Sequence, residues 1–469
     1  MNMSRTITSL PDFHLRGMGY HARLLLLLVL WVYAGSSNAS SAYGRWFVLE
    51  TANSDRASVQ LGAAPPGAGV ASHPGSEVEG DELIAASGEA EVSDAASLSQ
   101  LEQQLDDARV QGGPYSQALA EPLGDLARYY RRQGDFAAAL SLYGQALHNL
   151  RVNEGLYSEG QVPLVREMLS LYRDAGEYES LDDRYDYFFR LYGSGQPPYD
   201  DLRLRAVTEY LRWQREAYLR GLRSSDRDLL TLFERNSRLL RRNDDAPPLP
   251  PEWEQALVLS QIQNLYVLAQ AVEPLVVSGN SSNVFSNSRR LPGAGPDEQQ
   301  QDFTRTRLEN IDRTVLARGR RLMEDLLAKT PPDRVEQRAL LLRELGDWYQ
   351  WHESSARAMD YYQQSIALLQ GAQRSDLVEQ WWGQPVELPD SNVFVVPGQS
   401  SGDSLQVGMT VSASGRVTVD SLAFNGAPTD NIGSRLRREL DSTRFRPAFV
   451  NGEPVAARIA RRDYRVQQR

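Results

Sequence analysis

One pattern recurs in this chain at a fixed distance, and it limits the folds that the chain can adopt. Four aromatic or glycine positions each reappear 42 residues further along the chain, which gives four matched pairs. The pairs are Tyr130 with Tyr172, Gly134 with Gly176, Phe136 with Tyr178, and Tyr143 with Tyr185. Apolar residues follow helical spacing on both sides of each glycine, so each copy predicts two helices joined by a tight turn. Because one such pair leaves an apolar face exposed, we expect the copies to stack.

The first copy, 122–150, resembles the tetratricopeptide repeat (TPR). That repeat places small side chains where two helices cross closely and aromatic side chains where the helices wedge apart. The matching small residues are Ala127, Ala139 and Ala146, and the matching larger residues are Leu126, Tyr130, Phe136 and Tyr143. The length of the repeat is similar to that of the longer repeats of kinesin light chains.

A third copy near residue 350 extends the resemblance. It contains Leu345, Gly346, Tyr349, Ala358, Tyr362 and Ile366, with Glu353 at the usual glycine position and Ser355 at a usual aromatic position. The inter-helix turn of this copy is therefore expected to differ from the other two. The resemblance implies a mainly α chain, with a TPR-like α-solenoid over residues 113–372. Degenerate helix pairs fill its middle, and a Ser-, Asn- and Gly-rich mobile insertion occupies 278–302.

The hydrophobic period changes from helical to alternating after Leu405. Leu405, Val407, Met409 and Val411 alternate with small or polar residues, which predicts a half-buried strand. A second strand is expected at 417–424, a helix from Asp430 with Ile432, Leu436 and Leu440 on one face, and a last strand at 455–466. The segment 403–469 is therefore predicted to be a small α+β domain with the order strand, strand, helix, strand.

This segment resembles the C-terminal domain of the TonB family. The resemblance covers 403–466, and its most specific parts are the sequences FRPA at 445–448 and NGEPV at 451–455. Members of that family bind outer-membrane transporters by adding a short partner segment to a sheet edge, so the resemblance implies binding by strand addition. The last strand is the candidate edge, with Val455, Arg458, Ile459 and Arg461 as candidate contact residues. The alternative is that Arg458, Arg461 and Arg462 only prevent nonspecific edge pairing.

The expected array offers a second candidate surface. In TPR proteins, first-helix residues off the packing face line a concave groove. The matching positions here include Asp125, Arg128, Arg132, Arg166, Arg173, Asp347 and Trp351. Guanidinium groups in a groove suit an acidic or C-terminal peptide segment. The alternative for each of these residues is an ordinary solvated helix face.

The N-terminal region predicts export. Arg5, Arg16 and Arg23 precede the uncharged run 24–35, and the small residues near Ala39 fit signal cleavage, so 1–39 is read as a signal peptide. The alternative is an uncleaved anchor, although the run is shorter than the ~20 residues that span a bilayer. Export predicts a location in the periplasm of a bacterial envelope.

Two further segments are expected to be linkers. Residues 40–112 are rich in Glu and Asp, with no Lys or Arg from Ala57 to Ala108, and are predicted to be a disordered acidic linker. Leu98, Leu101 and Leu105 allow a helix near its end. Residues 373–402 are predicted to be a linker between the array and the α+β domain.

Composition and motifs give no support for catalysis, so we expect neither an enzyme nor a cofactor or metal. The chain has no cysteine, and its net charge of -11 at pH 7 argues against a general nucleic-acid binder. Of five histidines, only His148 and His352 fall in the expected folded regions, where ordinary packing explains them better than metal binding. The sequence at 398–402 matches the G-x-S-x-G pattern of serine hydrolases, yet no histidine follows Ser400.

These observations predict an exported adaptor that binds envelope proteins or peptide segments, outer-membrane transporters among them. Its array would hold one partner and its C-terminal domain another. The alternative is a TonB-like energy transducer, which would need the N-terminal segment as a permanent inner-membrane anchor. A long proline-rich stretch, typical of such transducers, is missing from the chain. An enzyme with its site in the degenerate middle is a further alternative that no residue favours.

Overall fold

The computed structural model describes residues 47–49, 86–241, 248–278, 296–391, 393–396, 400–425 and 432–467. All of them belong to one unit of the chain, Gly44–Arg469. The expected signal peptide, 1–39, and most of the expected insertion, 278–302, lie outside these residues. Within the ranges given, no helix is long and apolar enough to cross a membrane.

The chain is mainly helical, with its strands concentrated near the C-terminus, and the prediction of a mainly α chain is confirmed. The helices of the described ranges are α1 (Ala86–Gly112), α2 (Ala120–Arg132), α3 (Phe136–Glu154), α4 (Val162–Ala175), α5 (Tyr178–Leu191), α6 (Asp201–Leu219), α7 (Asp226–Leu240), α8 (Pro251–Ser278), α9 (Pro296–Asp312), α10 (Val315–Lys329), α11 (Val335–Trp351), α12 (Ser355–Gly371), α13 (Ser375–Trp382) and α14 (Ile432–Ser442).

The recurring pattern folds into the helix pairs α2–α3, α4–α5 and α11–α12. Gly134 and Gly176 follow the first helix of their pairs with φ values of +79° and +73°, which glycine adopts without steric penalty. Glu353 adopts the same conformation in the third pair, with φ +62°. In each pair the residue after this position donates its N–H to a carbonyl five residues earlier, at 2.9–3.0 Å. The third turn therefore matches the others, contrary to the expectation from Glu353.

Small and aromatic side chains fill the space between the helices of a pair. Ala127 of α2 and Ala139, Tyr143 and Ala146 of α3 have no exposed surface. The alanines let the helix backbones approach closely, and the tyrosine fills the gap beside them. The small and aromatic residues that carry the TPR resemblance are thus residues of the helix–helix contact.

Gly346 of α11 provides a test of this close packing. Alanine usually stabilises a helix interior by about 1 kcal/mol relative to glycine. A Cβ at Gly346, however, would overlap the ring of Tyr362, which is fully buried and donates a hydrogen bond to Asp347. We expect Gly346→Ala to destabilise the protein by about 1–3 kcal/mol through overpacking. Urea unfolding measures the change.

Gly144 of α3 is the matched control, since a Cβ there meets no atom within 4 Å. Gly144→Ala should leave stability unchanged or raise it by up to about 1 kcal/mol. Equal effects at the two glycines would contradict the packing described for α11 and α12.

Eight short segments of the described chain form strands. They are β1 (Phe47–Leu49), β2 (Val386–Glu387), β3 (Ser400–Val411), β4 (Val417–Asn425), β5 (Phe445–Arg446), β6 (Ala448–Val450), β7 (Glu453–Val455) and β8 (Ala457–Gln467). The main sheet is antiparallel with the order β1-β8-β3-β4, and the pairs β2-β5 and β6-β7 form two smaller sheets.

Helix α14 packs on the main sheet. Its Leu436 and Leu440 share one buried cluster with the alternating side chains of β3, which confirms the predicted inward face of that strand. Gly408 of β3 faces Ala460 of β8, where a Cβ would lie 3.1 Å from the carbonyl oxygen. The two central strands therefore approach closely at a point where the register shifts.

Two segments predicted to be linkers are partly folded. Helix α1 occupies the end of the expected acidic linker, 40–112, with Leu105 buried against the array, and Phe47–Leu49 forms β1. The expected linker at 373–402 contains α13 and β2 and buries Trp382, Leu388 and Phe394. The linker prediction for 373–402 was wrong because the segment folds, and Trp382 joins a buried cluster with Tyr362 of α12 and Phe449 of β6.

Candidate partner-binding surfaces

Strand β8 is an edge strand over only part of its length. Its inner side pairs with β3 from Ala457 to Gln467. On its other side, β1 pairs antiparallel with the C-terminal end, with Phe47 opposite Val466 and Leu49 opposite Tyr464. In the described chain no strand pairs with the outer side of 457–463. The prediction of a free edge along 455–466 therefore needs correction, since the chain itself covers its last residues.

The candidate contact residues near β8 fall into three environments. Val455 belongs to β7, where it pairs with Ala448, and is not part of the last strand. Ile459 is half-buried and packs against the cluster beneath the sheet. Arg458 and Arg461 have side chains that are 75% and 64% exposed. Only the two arginines offer side chains to a partner, whereas Ile459 can contribute only its backbone.

Both exposed arginines have acidic neighbours. Arg458 Nε lies 3.6 Å from Asp420 Oδ2 of β4, and Arg461 Nε lies 3.4 Å from Asp463 Oδ1. Exposed ion pairs of this kind contribute about 0–1 kcal/mol, so they hold the guanidinium groups only weakly. The arginines remain able to pair with an acidic segment, and they also keep the edge soluble.

In the array, most of the predicted groove arginines bind neighbouring carboxylates. Arg166 Nη1 lies 3.1 Å from Glu209 Oε2, and Arg173 Nη1 lies 2.9 Å from Glu216 Oε1, so both connect α4 to α6. Arg128 pairs with Asp125 within α2. These groups are already compensated and are not free to bind an acidic peptide without losing a partner.

The pairing itself follows the repeat. Arg131 binds Asp174, and Arg173, at the matching position of the next copy, binds Glu216. The same kind of ion pair therefore joins α2 to α4 and α4 to α6. Arg132 is exposed and forms no ion pair within the described ranges, so it is the one predicted groove arginine left uncompensated there.

Trp351 belongs to an aromatic cluster between α8 and α11. Its ring centroid lies 5.0 Å from that of Tyr266 and 4.8 Å from that of His352. Burial lowers the pKa of His352 to about 4, so the imidazole is neutral near pH 7. Trp351 is half-exposed and His352 half-buried, and the cluster mainly serves to pack the two helices together.

A buried ionic cluster joins the array to the sheet region. Arg446, from the FRPA sequence, is 1% exposed and lies between two carboxylates. Its Nη1 is 2.8 Å from Asp347 Oδ2 of α11, and its Nη2 is 2.7 Å from Asp390 Oδ2. Tyr362 of α12 donates its hydroxyl to Asp347 Oδ1 at 2.8 Å. We call these four residues the Arg446 cluster.

The charged groups of the Arg446 cluster shift each other's pKa values. Burial raises the pKa of Asp347 to about 7, although Arg446 opposes this shift. Burial alone would raise the pKa of Asp390, but the combined effect of Arg446, Arg343 and Arg462 lowers it. Asp347 and Asp390 share the Arg446 guanidinium. Asp347 is harder to ionise because it is the more deeply buried of the two.

Further contacts across this junction support the cluster. Gln350 Nε2 of α11 donates to the carbonyl oxygens of Ser414 and Phe445, at 2.7 and 3.1 Å. The ring of Trp382 lies 5.2 Å from that of Tyr362 and 5.3 Å from that of Phe449. Helices α11–α13 and the strands that follow them therefore form one packed body rather than two tethered domains.

Sequence reasoning missed two of these features. The apolar run at 46–49 was the signal available for β1, but its pairing with β8 could not be read from the sequence. Asp347 was expected to line the groove, but it is 1% exposed and binds Arg446, which is 99 residues away.

Comparison with known proteins adds little. No protein-family model matches the chain, and no curated protein matches it either. The solved structure of Nro1, described as a hypoxic regulator of sterol synthesis and a nuclear import adaptor, matches 61% of this chain and 99% of its own, with 14% sequence identity and a TM-score of 0.26. A similarity this low carries no argument about fold or function.

Proposed function

We propose that this protein is an exported adaptor of the bacterial envelope. A TPR-like array holds one protein partner, and a TonB-like C-terminal module binds a segment of another by strand addition at β8. One observation supports this proposal best. On its outer side, β8 pairs antiparallel with β1 at three residues, and no described strand pairs with the neighbouring stretch 457–463.

The expected partner segment is short and extended. It would lie in line with β1 on the outer side of β8 and pair antiparallel with 457–463 through backbone hydrogen bonds. Arg458 and Arg461 lie along this stretch, so acidic side chains in the segment would improve binding. Outer-membrane transporters are the partner class that the TonB resemblance implies.

The array is the proposed site for the second partner. Ion pairs between successive helix pairs, such as Arg173 with Glu216, hold the array in one arrangement. Arg132 and Trp351 are the predicted groove residues that keep exposed surface without an ion pair. They are the first positions to substitute when a partner of the array is known.

Photocrosslinking tests the edge. A photoreactive amino acid at Ala460, an exposed position of β8, should form adducts with envelope proteins in intact cells. The matched control is Ala423, an exposed position of β4 at the opposite end of the sheet. Adducts confined to Ala460 would support the proposal. Equal adducts at the two positions, or none at Ala460, would contradict it.

The energy-transducer alternative differs in one property that can be measured directly. N-terminal sequencing of the protein purified from the envelope should begin at Ser40 if the segment 1–39 is cleaved. A mature protein that keeps residues 24–35 would instead support an anchored transducer.

A further inference from the structure

A cavity of about 440 Å³ lies between helices α7, α8 and α10. Its volume falls within the range of roughly 300–1,000 Å³ typical of small-molecule sites. Its floor is buried and consists of Phe233, Ser237 and Gln261. Its remaining apolar lining comes from Leu240, Ala317 and Leu322. The cavity can therefore accept an apolar body of moderate size.

The same cavity is lined by three exposed arginines, Arg241, Arg318 and Arg321. Arg318 Nε donates to Thr314 Oγ1 at 2.7 Å, and Arg241 Nε donates to the Ser237 carbonyl at 3.3 Å. Among the residues that the structure describes, none of the three forms an ion pair. This contrasts with Arg166 and Arg173 of α4, which pair with glutamates of α6.

The charge of the lining is therefore unbalanced. Asp325 is the one carboxylate among the lining residues, so the three guanidinium groups leave two positive charges without a counterpart. The lining residues of α10 occur at spacings of three and four, which places basic and apolar side chains on one helix face. A guanidinium binds a carboxylate or a phosphate through two parallel hydrogen bonds.

We propose that this cavity binds an anionic amphiphile, a molecule with one carboxylate or phosphate head and an aliphatic body. The head would lie among Arg241, Arg318 and Arg321, and the aliphatic body would lie against Phe233 and Leu322. An acidic peptide without apolar side chains would leave this apolar lining unfilled. The site goes beyond the adaptor function and does not depend on β8.

Calorimetric titration of the full mature chain tests the proposal. The probes are decanoate, decyl phosphate and the uncharged decyl maltoside, each below its micelle concentration. We expect saturable binding of at least one anionic probe and at least about tenfold weaker binding of the maltoside. Decanoate binding alone would indicate a fatty acid, and decyl phosphate binding alone would indicate a lipid phosphate head.

Substitutions distinguish binding in the cavity from nonspecific adsorption to the protein surface. Arg318→Gln combined with Arg321→Gln should weaken binding of the anionic probe at least about tenfold. Ala317→Trp should block the cavity without disturbing the core, because Ala317 is exposed. The control is Arg320→Gln on the same helix, since Arg320 pairs with Glu324 and does not line the cavity. Equal binding of all three probes, or equal binding by the variants and the control, would overturn the proposal, as would no binding of either anionic probe.

Discussion

Replacing Arg446 with alanine is expected to lower the free energy of unfolding by about 3–5 kcal/mol, which is typical when one partner of a buried ion pair is removed. The substitution leaves Asp347, with a side chain that is 2% exposed, without its cationic partner. It also removes a side chain that fills space beside Trp382, whose ring centroid lies 5.4 Å away. Urea unfolding followed by tryptophan fluorescence measures the loss.

Arg458→Ala is the control for Arg446→Ala. Arg458 is also an arginine of the C-terminal strands with an acidic neighbour, but its side chain is 75% exposed. Its removal should change stability by less than about 0.5 kcal/mol. A similar small effect at Arg446 would show that the cluster does not hold the array and the sheet together.

The pH dependence of stability gives a second test of the cluster. The pKa of Asp347 is raised from 3.8 to about 7 by burial, so its contribution to stability is full below about pH 4 and is lost as pH rises through about 7. Asp347→Asn removes this titration. The unfolding free energy of the variant should therefore fall less than that of the parent between pH 4 and pH 8. Parallel curves for the two proteins would contradict the assigned burial of the carboxylate.

The second large effect is expected on partner binding. Proline within 457–463 removes a backbone N–H that an added strand would need, and its ring disturbs the pairing. A proline at a position whose N–H points away from β3 should weaken binding of the partner captured at Ala460 about 10-fold to 100-fold, because one lost hydrogen bond contributes about 1 kcal/mol and the distortion adds to it. Immobilised-partner binding assays measure the change.

Two neighbouring positions should be tested, Ala460→Pro and Arg461→Pro. Successive N–H groups of a strand point to opposite sides, so we expect one of the two variants to preserve the pairing of β8 with β3. Thermal unfolding identifies that variant. The control is Ala423→Pro on β4, which should leave partner binding unchanged. Full binding by the well-folded β8 variant would exclude strand addition at this edge.

Deletion of the C-terminal module would test partner binding less specifically than these point variants. The ring contacts of Tyr362, Trp382 and Phe449 cross the boundary between the array and the module. A chain ending at Gln399 would expose this apolar surface, and its loss of partners could then reflect unfolding or aggregation. Substitutions on β8 keep the junction intact.

Local patterns predicted the local structure well. The constant spacing of 42 residues identified the first two helix pairs, and the matching residues Tyr143 and Tyr185 are both buried in their pairs. The alternation from Leu405 to Val411 identified β3, and all four apolar residues are buried. The ion pair between Arg173 and Glu216 could also have been predicted, since it repeats the pair between Arg131 and Asp174 one copy later.

Contacts between distant segments could not be predicted in the same way. The pairing of Arg446 with Asp347 depends on how α11 packs against the C-terminal strands, and neither residue carries a local signal of that packing. The pairing of β1 with β8 joins opposite ends of the described chain. Because 373–402 was predicted to be a linker, the packing of the helices and the C-terminal strands into one body was not predicted either.

Hydrogen–deuterium exchange of the protein with its captured partner tests strand addition most directly, because it reports on the backbone amides themselves. The account predicts that amides within 457–463 exchange at least about tenfold more slowly in the complex, while those of β4, Val417–Asn425, do not change. Protection confined to the helices of the array, with no change in 457–463, would contradict strand addition at β8.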